Sequence, residues 1–242
     1  MRVPVRWVLW DVKDTLLKVR RSVGEQYCRE AQQAGLQLSP AQVETAFRLA
    51  YKQKSQLLPN YGRAQGMDSQ VWWTGLVRDT FGQCGVHDPA LLDKLANNLY
   101  HNFCGPENWE VFSDSNSTLK SCTALGLKQG VVSNFDRRLE GILRGCGLLT
   151  HFSFIVTSED ARVAKPDPAI FSQALERCGV PASSVVHVGD HYVKDYLTSR
   201  SLGIRGYLLN RKDGQKTHLD IPPEHILQSL DELPARLQHN TD

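Results

Sequence analysis

Nowhere in its 242 residues does this chain carry an apolar run of the roughly 20 residues needed to span a bilayer, so no membrane role is expected. Neither sign of charge dominates. The 28 Lys and Arg face 26 Asp and Glu, and a net charge of +2 gives no electrostatic footing for nucleic acid or an anionic membrane. Paired cysteines are missing too. Cys28, Cys84, Cys104, Cys122, Cys146 and Cys178 stand singly, with no CxxC and no histidine at zinc-finger spacing. They read as reduced thiols of an intracellular, cytoplasmic protein. The N-terminal apolar stretch Val3–Trp10 is broken by Pro4 and Arg6 and has no small-residue cleavage site, so it reads as a strand and not a signal peptide. Repeats and low-complexity segments are absent. An apolar content of 41% argues against disorder, and the length suffices to bury a sizeable core.

What is present alternates in two rhythms. After Val3–Trp10 come about a hundred residues of helical signals. Ser22-Val-Gly-Glu25 and Ser39-Pro40-Ala-Gln42 read as capping boxes, the second with proline at the first helical position. Asp68 and Asp88-Pro89 open two more helices, the former carrying Trp72, Trp73, Leu76 and Phe81. From Ser117 onward, helices and strands alternate. Strands are expected at Lys128–Ser133, Phe152–Thr157, Val185–Val188 and Tyr207–Leu209. Helices are expected over Ser117–Leu125, from Asp136 to near Gly147, from Asp167-Pro168 to Gly179, and over Asp195–Leu202. Glu224–Leu237 reads as an amphipathic tail. Such alternation predicts parallel βαβ units in a doubly wound α/β sheet, with the roughly hundred helical residues after the first strand as an inserted module.

In sheets of this kind ligands bind beyond the carboxyl ends of the strands. The strand ends deliver Asp11, then Ser133 and Asn134, then Asp190, and Lys165 stands just before the Asp167-Pro168 helix start. Two carboxylates that face each other repel unless a divalent cation lies between them, and an oxygen-only donor set suits Mg²⁺. An ammonium and a hydroxyl beside them would hold a phosphoryl group, and one carboxylate would attack phosphorus to form an aspartyl-phosphate.

Asp11-Val-Lys-Asp-Thr15-Leu16, Ser133-Asn134, Lys165-Pro166-Asp167-Pro168 and Gly189-Asp190 with Asp195 follow, in order and spacing, the four motifs of the haloacid dehalogenase-like hydrolase superfamily. The chain resembles that superfamily along its whole length. The resemblance implies a Rossmann-like core of residues 1–17 and 110–242 and a helical cap of residues 18–109, hinged near Leu17 and Trp109. It also implies a Mg²⁺-dependent hydrolase acting on a small phosphorylated molecule. Asp11 would be the nucleophile and a metal ligand. Ser133 and Asn134 would bind the phosphoryl oxygens, and Lys165 would steady both Asp11 and the phosphate. Asp190 would be the second carboxylate ligand, supported by Asp195, and Thr15 would brace the loop.

One position departs from the pattern. Phosphatases of this superfamily carry an acid/base aspartate two residues after the nucleophile, and here that residue is Lys13. Its backbone carbonyl remains available to a metal, while its side chain is either a substrate contact or a mark of lost catalysis. On an extended segment Lys13 would share the face of Asp11 and Asp14 would point away. A catalytically silent protein that binds a metabolite or a protein partner is therefore the competing reading. Dehalogenation is disfavoured, because dehalogenases place tyrosine at this position and because Asp190 implies a metal. Taken singly, these residues have plainer readings: a turn serine, a solvated lysine, an N-cap aspartate. His187 reads as a satisfied core histidine, and Trp72, Trp73 and Trp109 as packing residues.

Overall fold

The computed structural model describes residues 3–211 and 221–238 and divides the chain into two compact units. The first comprises residues 1–18, 111–135 and 146–242, the second residues 19–110 and 136–145.

The first unit is built on six parallel strands. In chain order its sheet strands are β1 (Trp7–Trp10), β4 (Lys128–Ser133), β5 (Phe154–Thr157), β6 (Val185–Gly189), β7 (Arg205–Leu209) and β8 (Ile226–Leu227), and in space they run β5-β4-β1-β6-β7-β8. Two short strands, β2 (Leu17–Val19) and β3 (Trp109–Val111), form a separate pair. Every residue of β1 is buried, which is what a central parallel strand covered on both faces requires. The strand is shorter than the sequence suggested. Its partners begin at Lys128 and Val185, both opposite Trp7, so Val3–Val5 have no ladder to join. Trp7, Leu9, Val132, Val156, Ile170, Phe171 and Val185 form the core on one face. On the interior side, Trp10 Nε1 donates to Gln129 Oε1 at 3.0 Å, which satisfies two buried polar atoms at once.

Two elements differ from expectation. The tail is not one amphipathic stretch, because Ile226–Leu227 pairs with Leu208 and Leu209 as an edge strand before the helix Leu233–Gln238. The helix expected from Asp195 begins earlier, as a wide π-helical turn over Tyr192–Leu197 that continues into Thr198–Ser201. Its N-cap is His191, whose ring nitrogen accepts from the Lys194 N–H, and neither aspartate caps it. Asp195 therefore lies inside the first turn.

The second unit is helical, with helices Val23–Gln33, Pro40–Leu57, Ser69–Gln83 and Pro89–Asn102. Ser22 and Glu25 form the reciprocal capping box. Ser39 makes no side-chain cap, and Pro40 at the first helical position, with its φ already helical, supports that start instead. Tyr27, Val43, Val77, Phe81, Leu95 and Leu99 fill one core, and Ala50, Trp72 and Leu76 a second. Residues 136–145 group here and not with the strands. The Asp136 carboxylate accepts from Trp73 Nε1 at 2.7 Å and from both arms of Arg138, whose guanidinium lies against the Trp73 and Tyr100 rings. No helix of the described residues is long and apolar enough to cross a membrane.

Candidate active site

The strand order places a crevice at the end of β1. Its neighbours β4 and β6 lead the chain off in opposite directions, toward β5 and β7, and ligands in open α/β sheets bind at such a reversal. Asp11 follows β1, Ser133 ends β4, and Asp190 follows β6.

Asp11 is almost fully buried, and its backbone N–H donates to Val188 O at 2.9 Å. Its Oδ1 accepts from Lys165 Nζ at 2.7 Å and from Ser133 Oγ at 3.1 Å, and its Oδ2 accepts from Thr15 Oγ1 at 3.3 Å. Lys165 Nζ has three donors and uses all of them. The others go to Asp195 Oδ1 at 2.6 Å and to the Val132 carbonyl at 2.9 Å. Burial alone would lower the Lys165 pKa, but the Asp11 and Asp195 carboxylates outweigh it and hold the ammonium well above its usual range.

Asp195 is buried and fully engaged. Besides Lys165, its Oδ1 accepts from His187 Nε2 at 3.0 Å, and its Oδ2 accepts from the His191 N–H at 3.1 Å. Burial opposes its ionisation, yet Lys165 and His187 hold it well below the usual carboxylate range. His187 keeps its role as a core histidine only in part. It packs edge-on against Phe171 and donates to Asp195, but its Nδ1 has no partner. Burial lowers its pKa, so the ring is neutral, with its proton on Nε2 facing the carboxylate.

Asp190 completes the group. One carboxylate oxygen each of Asp11, Asp190 and Asp195 lies within 4.8 Å of the others. Burial, followed by the charges of Asp11 and Asp195, pushes the Asp190 carboxyl up to about 7. Excess negative charge on hard oxygen donors fits a divalent cation such as Mg²⁺, which would relieve that repulsion.

Asn134 has a different part from the one expected. Its carboxamide oxygen accepts from the Lys165 N–H at 2.7 Å, and its amide donates to the Lys165 carbonyl at 2.8 Å. The side chain is thus a clamp on the backbone of Lys165. Lys13 and Asp14 also depart from the alternation argument. The chain after Val12 is a tight turn and not a strand: Leu16 N–H donates to Val12 O, Asp14 N–H donates to Leu17 O, and Asp14 takes a φ of 64°. The turn brings Asp14 Oδ2 to 2.6 Å from Lys13 Nζ, so the two side chains share one side as a half-exposed ion pair.

Arg211 and Asp114 had no signal in the sequence. Arg211 reaches the active-site turn by donating to the Thr15 carbonyl at 2.9 Å, while both its arms pair with Asp114 at 2.8 Å. Asp114 also accepts from Ser229 Oγ and the Leu230 N–H. An arginine just past a strand and an aspartate before a helix look like ordinary surface residues until the fold joins them.

A model of the haloacid dehalogenase-like hydrolase family matches residues 5–203. The chain belongs to that family. Haloacid dehalogenase-like hydrolase domain-containing protein 3 of Xenopus laevis is 47% identical over 96% of both chains. The protein of that name from Homo sapiens is 42% identical over 95% of this chain and 92% of its own. Among solved structures, a 2-haloacid dehalogenase from Pseudomonas syringae pv. Tomato superposes with a TM-score of 0.71 at 25% identity, covering 97% of this chain and 99% of its own. A HAD phosphatase from Thermococcus onnurineus gives 0.65 at 24% identity over 96% and 98%, a likeness of fold. This hydrolase therefore shares its fold with enzymes of two chemistries.

Proposed function

We propose that this hydrolase is a Mg²⁺-dependent phosphatase that removes a phosphoryl group from a small molecule through an aspartyl-phosphate on Asp11. The observation that carries the reading is the single ammonium of Lys165 joining Asp11 to Asp195 beside a third carboxylate. A nucleophile set among carboxylates favours a substrate delivered with a cation, and a phosphoryl group is such a substrate. Asp11, Asp190 and the Lys13 carbonyl would hold Mg²⁺, which when bound neutralises charge on the phosphoryl oxygens.

The protein's own residues do the rest. Lys165 holds Asp11 oriented for attack. Ser133 Oγ, now donating to Asp11, turns its proton to a phosphoryl oxygen when substrate arrives. Thr15 holds the other oxygen of Asp11. Asn134 keeps the Lys165 backbone in place, and Asp195 keeps its ammonium between two acceptors. Dehalogenation is the poorer fit, because a third carboxylate beside Asp11 calls for a cation that displacement of a halide does not use.

The test is phosphate release from a panel of phosphate esters by the wild type and Asp11→Asn, with Mg²⁺ and with EDTA. Release that needs Mg²⁺ and falls to background in Asp11→Asn supports the reading. Full activity in Asp11→Asn overturns it. A second reading rests on Lys13, which stands where an acid is expected: a protein that binds a phosphorylated ligand without turning it over. Saturable binding of inorganic phosphate, with no release from any ester, would select it.

A further inference from the structure

We propose that the active site selects substrates whose leaving group departs as an anion, acyl phosphates above all, and that the Lys13 ammonium receives the departing carboxylate in the position Asp14 now holds. This inference rests on Asp11 being the nucleophile.

Among the described side chains around Asp11, no carboxyl or imidazolium stands free to give up a proton. Lys165 spends its three protons on Asp11, Asp195 and Val132. Asp195 accepts from three donors and is ionised. His187 is committed to Asp195, and His191 takes the Lys194 N–H on its ring nitrogen. Asp190 is in the proposed cation set. Thr15 and Ser133 carry hydroxyls, which are far too weak as acids to serve. The remaining side chains in the turn after Asp11 are Lys13 and Asp14, and they are paired with each other, so the Asp14 carboxylate is held by the ammonium and the proton on offer is that of an ammonium, a far weaker acid than a carboxyl. A well-matched general acid typically contributes 10²–10⁴-fold to a step that expels a basic oxygen. With only an ammonium in that place, alkoxide leaving groups are penalised and carboxylate or phenolate leaving groups are not.

The second observation is what Lys13 holds. Its ammonium binds the Asp14 carboxylate at 2.6 Å, half-exposed, in the turn whose next residue, Thr15, touches Asp11. Asp11 and Asp190 both attract the same ammonium, so it lies within their field. Asp14 is held there by a left-handed backbone, which a non-glycine residue adopts at a cost. The chain thus already presents a carboxylate to Lys13 beside the nucleophile, and an exposed pair of this kind is worth little, so exchange for a substrate carboxylate is cheap.

The chemistry balances without a proton relay. Asp11 oxygen bonds to phosphorus as the phosphorus–acyl oxygen bond breaks, and the electron pair leaves on the carboxylate. Water oxygen then attacks the phosphorus of the aspartyl-phosphate. Asp11 leaves as a carboxylate, and both water protons depart with the product as dihydrogen phosphate.

The experiment measures kcat and KM for acetyl phosphate, a series of aryl phosphates and glycerol phosphate. It compares wild type, Lys13→Met, Lys13→Asp and Asp11→Asn, and includes inhibition by acetate. Wild type is expected to favour acetyl phosphate over glycerol phosphate by at least about 10²-fold in kcat/KM. Lys13→Met should raise KM for acetyl phosphate and abolish acetate inhibition. Lys13→Asp should raise glycerol phosphate turnover about 10²-fold and flatten the dependence on leaving-group basicity. Equal rates on acetyl and glycerol phosphate, or unchanged acetate inhibition in Lys13→Met, would overturn the inference while a dead Asp11→Asn left the phosphatase reading standing. An active Asp11→Asn, or no release from any substrate, would overturn both.

Discussion

Gly189 lies directly beneath Asp195. A Cβ at 189 would stand 2.3 Å from the Asp195 Cγ and 2.6 Å from its Oδ2, closer than any real contact. The glycine before Asp190 is there because Asp195 must approach the strand end to meet Lys165. Gly189→Ala should displace Asp195, loosen Lys165, and destabilise the fold by about 1–3 kcal/mol, as overpacking does. Thermal denaturation and phosphate release on the same preparation should fall together; unchanged values in both would show that Asp195 has room to move.

Lys165 neutralises two buried carboxylates. Lys165→Met should strand Asp11 and Asp195 and cost roughly 3–5 kcal/mol. Adding Asp195→Asn removes one of the two uncompensated charges and should recover part of the stability but none of the activity. Denaturant titration of the single and double variants measures this, and additivity would contradict the shared role of the ammonium.

The Asp190 carboxyl, pushed up to about 7 from an unfolded value near 3.9, gives a signed expectation. A raised folded pKa contributes stability that is complete below the unfolded value and is lost as pH climbs to about 7. Metal-free protein should therefore lose this contribution between about pH 4 and pH 7. Mg²⁺ should restore it, raising Tm more at pH 8 than at pH 5.5. Asp190→Asn should make the Mg²⁺ effect small and nearly independent of pH.

Arg211 ties the active-site turn to Asp114. Arg211→Met would leave Asp114, whose carboxyl the arginine helps hold below its usual range against its burial, without its main partner. The expected cost is about 2 kcal/mol, below the value for a fully buried pair because Arg211 is partly exposed. Asp114 contributes stability above its unfolded pKa that is lost as pH falls through its lower folded one, so the variant's deficit should shrink toward pH 3. Urea midpoints at pH 3 and pH 7 give the comparison.

The strands and most helices were readable because their signals are local. Lys128–Ser133 matches β4 to the residue, and Ser22, Asp68 and Asp88 cap the helices they were expected to open. The motif residues Asp11, Ser133, Lys165 and Asp190 could be named as a set because parallel strands bring their carboxyl ends to one rim. Asn134 was placed at that rim, but its clamp on Lys165 was not legible, since nothing in its neighbourhood says that an amide will face a backbone 31 residues away. Asp14 was misplaced because alternation holds for strands, and the chain after Val12 turns.

By itself, then, the sequence determined the α/β class, the helical insertion and the four motif positions, because periodicity, capping and strand ends are properties of short segments. Tertiary structure alone decided that Lys165 serves two carboxylates, that Arg211 braces Thr15, that residues 136–145 join the helices, and that Lys13 pairs with Asp14. The first three join residues from distant parts of the chain, and the last hangs on a turn closed by hydrogen bonds. Such contacts depend on register and turn geometry, and the energy of a buried charge depends on neighbours that a linear reading does not supply.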